Sequence, residues 1–173
     1  MPDHLVAELL DGELYATPRP PPRHADATSG LAGALRGPFD RGRGGPGGWR
    51  ILNEPELHLR GDVLVPDLAG WRRERLPRLP EEAFFSLAPD WICEVISPAT
   101  AATDRTKKLQ IYAREAVSYA WLVDPIACTL EVLRLDTGRW TILSTWSGLS
   151  IVRAEPFDVI DLDLSLLWED PPG

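Results

Sequence analysis

The sequence predicts an α/β (α+β) domain with an N-terminal β-hairpin, and three observations support this class. A tight-turn signal, Asp11-Gly12, separates two apolar-rich arms near the N-terminus. The run DWICEVISPAT has the composition of a strand buried on both faces. An amphipathic segment follows it and precedes further segments of β character. With 173 residues, the chain is predicted to form one domain over residues 1–173.

The N-terminal part of the chain is predicted to contain the hairpin, one helix and a loop. Residues 5–17 form the hairpin, and PRPPPR, residues 18–23, forms a rigid connector. A helix is predicted from about residue 24 to residue 36. Its apolar side consists of Ala27, Leu31, Ala34 and Leu35. Residues 38–48 are rich in Gly and Arg and predict an irregular loop.

The rest of the chain is predicted to consist of strands around one further helix. Strands between Trp49 and Trp71 are broken at 53–55 and at 61–62, and residues 72–89 form a proline-rich excursion. The buried strand comes next, followed by a helix from about residue 104 to residue 115. The later strands are predicted at 119–123, 129–135, 140–145 and 150–152, with a last helical turn at 164–168.

One carboxylate, Glu94, interrupts the buried strand. Because strand side chains alternate, Glu94 shares a face with Ile92 and Ile96, while Cys93 and Val95 point the other way. An unpaired buried carboxylate is costly and tends to protonate. Glu94 therefore needs a basic side chain, hydrogen-bond donors or a metal ion as its partner. A salt-bridged or strand-end glutamate without a functional role is the alternative.

A second carboxylate, Asp67, interrupts an apolar row between Val63 and Trp71. Pro66 beside it cannot donate a backbone hydrogen bond, which suggests a bulge or an edge where the strand opens. Carboxylates on neighbouring strands can share a divalent cation, and Mg²⁺ prefers one or two carboxylates with waters and phosphate oxygens. The alternative is that the two side chains are unrelated polar groups near strand ends.

The second helix is predicted to supply a cation. Its sheet-facing stripe is predicted to contain Leu109, Tyr112, Ala113 and Ala116. At about 100° per residue, Arg105 falls inside this stripe, Lys108 falls at its edge and Lys107 lies on the solvated side. A cation beside two carboxylates offsets their repulsion and can stabilise charge on a phosphate. Ordinary ion pairs without catalysis are the alternative.

The net charge of −8 argues mildly against nucleic-acid binding, but the charge is unevenly distributed. Residues 154–173 hold six acids and no base, which defines an acidic C-terminal tail from about residue 154. Residues 18–50 carry six Arg and two Asp, and residues 72–78 hold a second basic cluster of four Arg. Both clusters are interpreted either as solvated loops or as a phosphate-binding surface.

Composition also bears on the cellular setting. No run of 18 apolar residues occurs, so no membrane span is predicted. The N-terminus lacks the basic and apolar regions of a signal peptide. Cys93 and Cys128 show no metal-ligand spacing, and a reduced, cytoplasmic setting is expected.

Three ordered motifs resemble the Uma family (the second of that name) of restriction-endonuclease-like bacterial proteins, within the PD-(D/E)xK nuclease superfamily. These motifs are VPDLAGW, DWICEVISPAT and DRTKKLQIYAREAVSYAWLVDP. The likeness covers nearly the whole chain. It implies a restriction-endonuclease-like fold, in which a mixed central β-sheet is flanked by helices. It also implies Mg²⁺-dependent phosphodiester hydrolysis.

Carried over residue by residue, the resemblance assigns site roles. Asp67 and Glu94 match the motif carboxylates, and Ile96 stands where the superfamily has a lysine. In the Uma family, a lysine on the following helix looks as though it takes over the role of that motif lysine, and Lys108 matches its position. Glu8 and Glu13 match acidic positions of the family's hairpin, and His24 matches the start of its first helix. Metal bridging, support of a metal ligand and structural capping all remain open for these three, and Tyr112 joins them as a supporting residue. This sequence departs from the family's usual residues at positions 116, 118, 119 and 120. The resemblance therefore does not define the conformation of the turn after the second helix.

These observations lead to the hypothesis of a metal-dependent endonuclease, with DNA as the favoured substrate. Mg²⁺ or Mn²⁺ would be held by Asp67, Glu94 and the backbone carbonyl of Val95, while Lys108 positions water. Arg105 would order the carboxylates or touch phosphate. A homodimer is expected by analogy, because two strands need two active sites. The alternatives are a catalytically silent nuclease-fold module that binds nucleic acid or protein, and a hydrolase of another phosphate ester.

Overall fold

The computed structural model describes residues 3–168, whose strands form three β-sheets. In chain order the strands are β1 (Leu5–Leu10), β2 (Glu13–Pro18), β3 (Trp49–Asn53), β4 (Leu57–Leu59), β5 (Asp62–Leu64), β6 (Leu68–Arg72), β7 (Trp91–Val95), β8 (Tyr119–Asp124), β9 (Thr129–Asp136), β10 (Arg139–Ser147), β11 (Ile151–Val152) and β12 (Leu162–Asp163). The last two form a small separate pair.

The central sheet has six strands in the order β10-β9-β8-β7-β6-β3. β7 and β8 run parallel and the other neighbours run antiparallel, so the sheet is mixed, as predicted. All five residues of β7 are buried because both faces of the sheet are covered. Trp91, Cys93 and Val95 belong to one apolar core, and Ile92 and Ile96 belong to the other. This alternation is the one predicted for the buried strand.

The predicted N-terminal hairpin is confirmed, and it joins a second sheet. Leu10 pairs with Glu13 across a two-residue turn in which Asp11 and Gly12 have φ of 51° and 83°. Positive φ at both turn residues is typical of the tight turn that suits a twisted hairpin. β1 also pairs with β5, which gives a four-stranded sheet in the order β2-β1-β5-β4.

The first helix covers one face of the central sheet. It spans Pro22–Leu35, with a proline at its start, and continues as a π-helical turn over Arg36–Asp40. The sequence prediction of 24–36 is therefore confirmed within two residues. Ala27, Leu31 and Leu35 are buried as expected, while Ala34 is only partly buried.

The second helix occupies residues 101–114 and differs in detail from the prediction. Ala101–Thr103 and Leu109–Arg114 are α-helical, but the intervening Asp104–Lys108 forms a wider π-helical turn. A π-helical turn takes up an extra residue and therefore rotates the N-terminal part of a helix relative to the C-terminal part. The predicted stripe was wrong in part, because the helix ends at Arg114. Ala116 lies beyond the helix at a φ of 61° and is exposed, and Ala113 is only partly buried.

The chain passes from one sheet to the other between β5 and β6, which corrects the predicted continuous strand around Asp67. Val65, Pro66 and Asp67 form the link, and Asp67 immediately precedes β6. The predicted opening of the strand at Pro66 is thus a change of sheet. Asp67 remains tied to the neighbouring strand β3, because its carbonyl accepts a 2.9 Å hydrogen bond from Glu54 N–H.

The described part of the acidic C-terminal segment packs against the first helix. A 3₁₀ helix forms at Leu164–Leu167, where a last helical turn was predicted, and Phe157, Leu164 and Trp168 are buried in the core. The acids Glu169 and Asp170 lie outside the described residues. Within residues 3–168, no helix has the length and apolar content needed to cross a bilayer.

The close approach of Gly30 to the backbone of Leu166 allows the packing of the first helix to be tested. A Cβ at Gly30 would overlap the backbone carbonyl oxygen of Leu166, whereas a Cβ at Gly33 on the same helix would meet nothing within 4 Å. We expect Gly30→Ala to lower the free energy of unfolding by about 1–3 kcal/mol, because backbone must move. Gly33→Ala, the matched control, should raise it by about 0.5–1 kcal/mol through helix propensity. Urea denaturation measures both, and equal effects would contradict the packing described.

Candidate active site

A cleft of about 70 Å³ lies where the N-terminal hairpin, both helices and the ends of β6 and β7 meet. Its polar lining includes the side chains of Glu8, His24, Asp67, Glu94, Asp104 and Lys108. The volume accommodates several water molecules or a hydrated cation. Four of these six side chains are carboxylates, so the cleft is strongly acidic.

The two predicted carboxylates face the same cleft. Leu68 of β6 is paired with Cys93 of β7, and one further step of this antiparallel register brings Asp67 opposite Glu94. Asp67 Oδ2 accepts a 2.7 Å hydrogen bond from Val95 N–H, which anchors the link to β7. Glu94 is only 2% exposed. The two side chains therefore share a face of the sheet, as the sequence hypothesis requires.

Lys108 lies among the carboxylates of the cleft. Its Nζ is 2.6 Å from Glu94 Oε1, 2.8 Å from Glu8 Oε2 and 3.8 Å from Asp104 Oδ1. Burial alone would lower the pKa of Lys108, but the charges of Glu94, Glu8 and Asp104 outweigh burial and raise it. These carboxylates therefore favour the charged ammonium form of Lys108, and its predicted inward orientation is confirmed.

The cleft contains more negative than positive charge. Its lining holds five acidic residues and only one lysine and one histidine; the acids are Glu8, Glu54, Asp67, Glu94 and Asp104. Burial raises the pKa of Glu94 well above its ordinary value, and the partial offset from Lys108 does not cancel this effect. Burial likewise raises the pKa of Asp104. A site with this excess is stabilised by taking up a proton or a cation.

Two further contacts hold the buried carboxylates in place. Tyr112 Oη donates a 2.8 Å hydrogen bond to Glu94 Oε1, and burial beside that carboxylate raises the pKa of the Tyr112 phenol well above its usual value. Glu8 Oε2 accepts a 2.8 Å hydrogen bond from Val65 N–H. Tyr112 and Glu8 thus lie in the site, where the sequence hypothesis placed them as supporting residues.

His24 contacts the other carboxylate. Its Nε2 lies 3.4 Å from Asp67 Oδ1, and its Nδ1 is buried without a hydrogen-bond partner among the described residues. Burial alone would lower the pKa of His24, but the hydrogen bond and charge of Asp67 outweigh burial and raise it. His24, at the start of the first helix, therefore orients Asp67 across the cleft.

Two predicted supporting residues lie elsewhere. Arg105 is largely exposed and bonds Glu131 Oε2 on β9 at 2.9 Å, so the prediction that it reaches inward was wrong. The π-helical turn rotates it out of the stripe that a regular helix would give. Glu13 begins β2 at the hairpin tip, is 67% exposed, and contacts Tyr15 and Lys107 rather than the cleft. Of the three roles left open for Glu13, this position rules out metal bridging in this cleft.

Asp104 was missed as a site residue and was taken only as the start of a helix. It is 4% exposed, lines the cleft and precedes Lys108 by four residues. That i,i+4 spacing of an acid and a lysine was the available signal, since such pairs lie on the same helix face.

The donor set of the cleft fits Mg²⁺ or Mn²⁺. Carboxylate oxygens are the ligands these ions prefer, and a divalent cation would neutralise the acidic excess. No three His, Cys, Asp or Glu side chains within residues 3–168 are spaced to hold a metal alone. Mg²⁺ commonly uses only one or two carboxylates and completes its shell with water and phosphate oxygens. Asp67 and Glu94 would therefore hold the ion with the backbone carbonyl of Val95, a residue that also lines the cleft.

The fold and this acidic cleft define a restriction-endonuclease-like class of α+β protein. A solved structure supports the fold. It is a crystal structure from Anabaena variabilis, described as "a putative nuclease belonging to DUF820". It matches with a TM-score of 0.76 and 22% sequence identity, over 94% of this chain and 89% of that chain.

A family model described as "Uma2: Putative restriction endonuclease" matches residues 2–166. The chain belongs to the Uma2 family. The resemblance to the Uma family inferred from the three sequence motifs is thereby confirmed. A search of curated proteins gives no match.

Proposed function

We propose that this protein is a metal-dependent endonuclease that hydrolyses phosphodiester bonds of nucleic acid, with DNA as the favoured substrate. The observation that carries the proposal is the convergence of Asp67, Glu94 and Lys108 on one acidic cleft. Membership of a family described as restriction endonucleases supports the same reaction class.

The residues of the cleft would have distinct roles in this reaction. Asp67 and Glu94 would bind the metal ion, which when bound supplies polarisation of the phosphate and a lower pKa for a coordinated water. His24 and Val95 N–H hold the Asp67 carboxylate in position, and Tyr112 holds Glu94. These contacts keep both carboxylates from rotating away when the cleft is hydrated.

Lys108 would position water and offset charge that develops on the phosphate. An ammonium has three N–H donors. Glu94 and Glu8 lie within 2.8 Å of Nζ and account for two of them. Asp104 at 3.8 Å is too distant for a hydrogen bond, which leaves one donor for water or a phosphate oxygen.

A catalytically silent module that binds nucleic acid or protein is the second candidate. The observation in its favour is that Lys108 already forms close ion pairs with two carboxylates, which can be a purely structural arrangement. The net charge of −8 also fits a protein that does not bind nucleic acid tightly over its whole surface.

Nuclease assays combined with metal titration test the proposal. Plasmid DNA, linear duplex DNA and RNA are incubated with Mg²⁺, Mn²⁺ or EDTA, and Mn²⁺ binding is followed by calorimetry. We expect cleavage with Mg²⁺ or Mn²⁺ and none in EDTA. Glu94→Gln removes a metal-binding charge and should reduce the rate by at least about 10²-fold. Glu82→Gln, an exposed control far along the proline-rich excursion, should behave as wild type. Absence of cleavage and of Mn²⁺ binding in the wild type would refute the proposal.

A further inference from the structure

The C-terminal part of the first basic cluster, residues 36–50, lies beside the second basic cluster, residues 72–78. Arg73 N–H donates a 2.9 Å hydrogen bond to the carbonyl of Gly48, and the guanidinium of Arg72 lies 4.2 Å from the ring centre of Trp49. Arg50 donates to the carbonyl of Leu76 from the other side. The arginines of residues 36–50 and of residues 72–78 are therefore neighbours in space, and we call them the arginine surface.

A single buried carboxylate holds three of these arginines together. Asp40 Oδ1 lies 2.7 Å from Arg73 Nη2 and 3.8 Å from Arg41 Nε, and Asp40 Oδ2 lies 3.8 Å from Arg36 Nε. Asp40 Oδ2 also accepts the backbone N–H of Ile51. One negative charge thus faces three positive charges. The Nε of Arg36 is buried and has no hydrogen-bond partner among the described residues.

The charge of this surface is opposite to that of the rest of the molecule. Residues 36–50 and 72–78 contain eight arginines and two acids, a net charge of +6. Because the whole chain carries −8, the remaining residues carry −14. Asp90, which pairs with Arg75 at 2.8 Å, lowers the local excess by only one. Like charges concentrated in this way repel one another unless an anion lies between them.

The position of the arginine surface relates it to the candidate active site. Trp49 pairs with Arg72 at one end of β3 and β6, and Asn53 pairs with Leu68 at the other, next to Asp67. Arg72 lies five residue steps along extended chain from Asp67, which is about 17 Å. A nucleic-acid strand advances about 3.4 Å per nucleotide, so this separation corresponds to about five nucleotides.

We infer that the arginine surface binds the phosphate backbone of duplex DNA about five nucleotides away from the phosphate in the cleft, an inference that rests on the proposed function. Guanidinium groups suit this ligand because they bind phosphate oxygens with two donors and stay charged at all physiological pH values. Backbone contacts of this kind give affinity and register without reading sequence. They also explain how a protein of net charge −8 would bind a polyanion.

The test measures binding in EDTA, where cleavage does not occur. The ligand is a fluorescent 30-base-pair DNA duplex, titrated at several salt concentrations. Arg41→Ala/Arg43→Ala removes two exposed charges from the arginine surface. Arg134→Ala/Arg139→Ala is the matched control, because it removes two charges on β9 and β10, at the opposite edge of the central sheet. Thermal unfolding of each variant verifies that it is folded.

We expect Arg41→Ala/Arg43→Ala to bind the duplex at least about tenfold more weakly than wild type at low salt. The slope of log binding constant against log salt concentration should become shallower by about 1–2, because each phosphate contact contributes about 0.9 to that slope. The control should bind like wild type. Equal losses in both variants, or a wild type that does not bind the duplex, would overturn the inference.

The outcome separates this inference from the proposed function. Duplex binding that depends on Arg41 and Arg43, in a protein that neither cleaves nucleic acid nor binds Mn²⁺, would support the inference and refute the nuclease. Cleavage that is unaffected by the surface variant, with unchanged affinity, would refute the inference and support the nuclease.

Discussion

Replacing Lys108 with methionine is expected to reduce nuclease activity by about 10²- to 10³-fold and to lower the free energy of unfolding by about 3–5 kcal/mol. Methionine keeps most of the length and removes the charge. Glu94 and Glu8 then remain buried with no cation within reach of their oxygens. Leaving one partner of a buried ion pair uncompensated costs more than the pair itself contributes.

The loss of unfolding free energy in Lys108→Met, which we call the stability deficit, should depend on pH. Glu94 determines whether this deficit grows or shrinks as the pH rises. The pKa of Glu94 is raised by burial even with Lys108 present, and Lys108 is the group that lowers it. A carboxyl whose pKa is higher in the folded state contributes stability below its unfolded pKa and loses it as the pH rises through the folded pKa. Without Lys108 that folded pKa rises further. The deficit should therefore be small at about pH 5 and large at about pH 8, as measured by urea denaturation.

Two further variants separate the structural role of Lys108 from its catalytic role. Lys107→Met removes the neighbouring lysine of the second helix, which contacts exposed Glu13 outside the cleft, and should leave both activity and stability nearly unchanged. Lys108→Met/Glu94→Gln removes the buried pair together and should recover much of the stability while activity stays lost. Full activity in Lys108→Met would show that the ammonium is only a counter-ion.

Both β-hairpins and the buried strand could be predicted because their signals are local. The Asp11-Gly12 turn requires positive φ at both residues, and Gly138 marks the turn between β9 and β10 in the same way. The apolar run 91–95 is a strand buried on both faces, which fits its position between β6 and β8. In each case the residues that determine the structure are adjacent in the sequence.

The errors arose where the structure depends on contacts between distant segments. Arg105 was assigned to the buried face on a regular helical period, but the π-helical turn at Asp104–Lys108 shifted that period. Asp104 and Lys108, at the two ends of that turn, face the same cleft as Glu8, which comes from the hairpin. A local period cannot reveal a π-helical turn that is favoured by partners from another sheet.

For the same reason, the sequence could not predict that residues 36–50 and residues 72–78 lie side by side. Asp40 binds Arg73, which is 33 residues further along the chain. Each cluster alone resembles an ordinary solvated loop, and the sequence left that interpretation open. Only the antiparallel pairing of β3 with β6 brings Trp49 and Arg72 side by side and makes one surface of the two clusters.

Replacing Asp67 with asparagine is expected to abolish metal-dependent cleavage with little loss of stability. Asparagine has nearly the same shape, and its side-chain oxygen can still accept the hydrogen bond from Val95 N–H. The substitution removes the negative charge that would bind the metal. The contribution of a bound metal to phosphate hydrolysis amounts to several kcal/mol, so the rate should fall by at least about 10³-fold.

Calorimetry with Mn²⁺ reports on this variant independently of catalysis. Asp67→Asn should weaken Mn²⁺ binding strongly, while the free energy of unfolding measured without metal changes by less than about 1 kcal/mol. Asp158→Asn, which alters an exposed carboxylate, is the control and should retain both binding and cleavage. The catalytically silent alternative makes the opposite prediction, because there Asp67 only bonds Val95 and His24. Under it, wild type and Asp67→Asn would show the same absence of Mn²⁺ binding, and the acidic cleft would be a structural element of the fold.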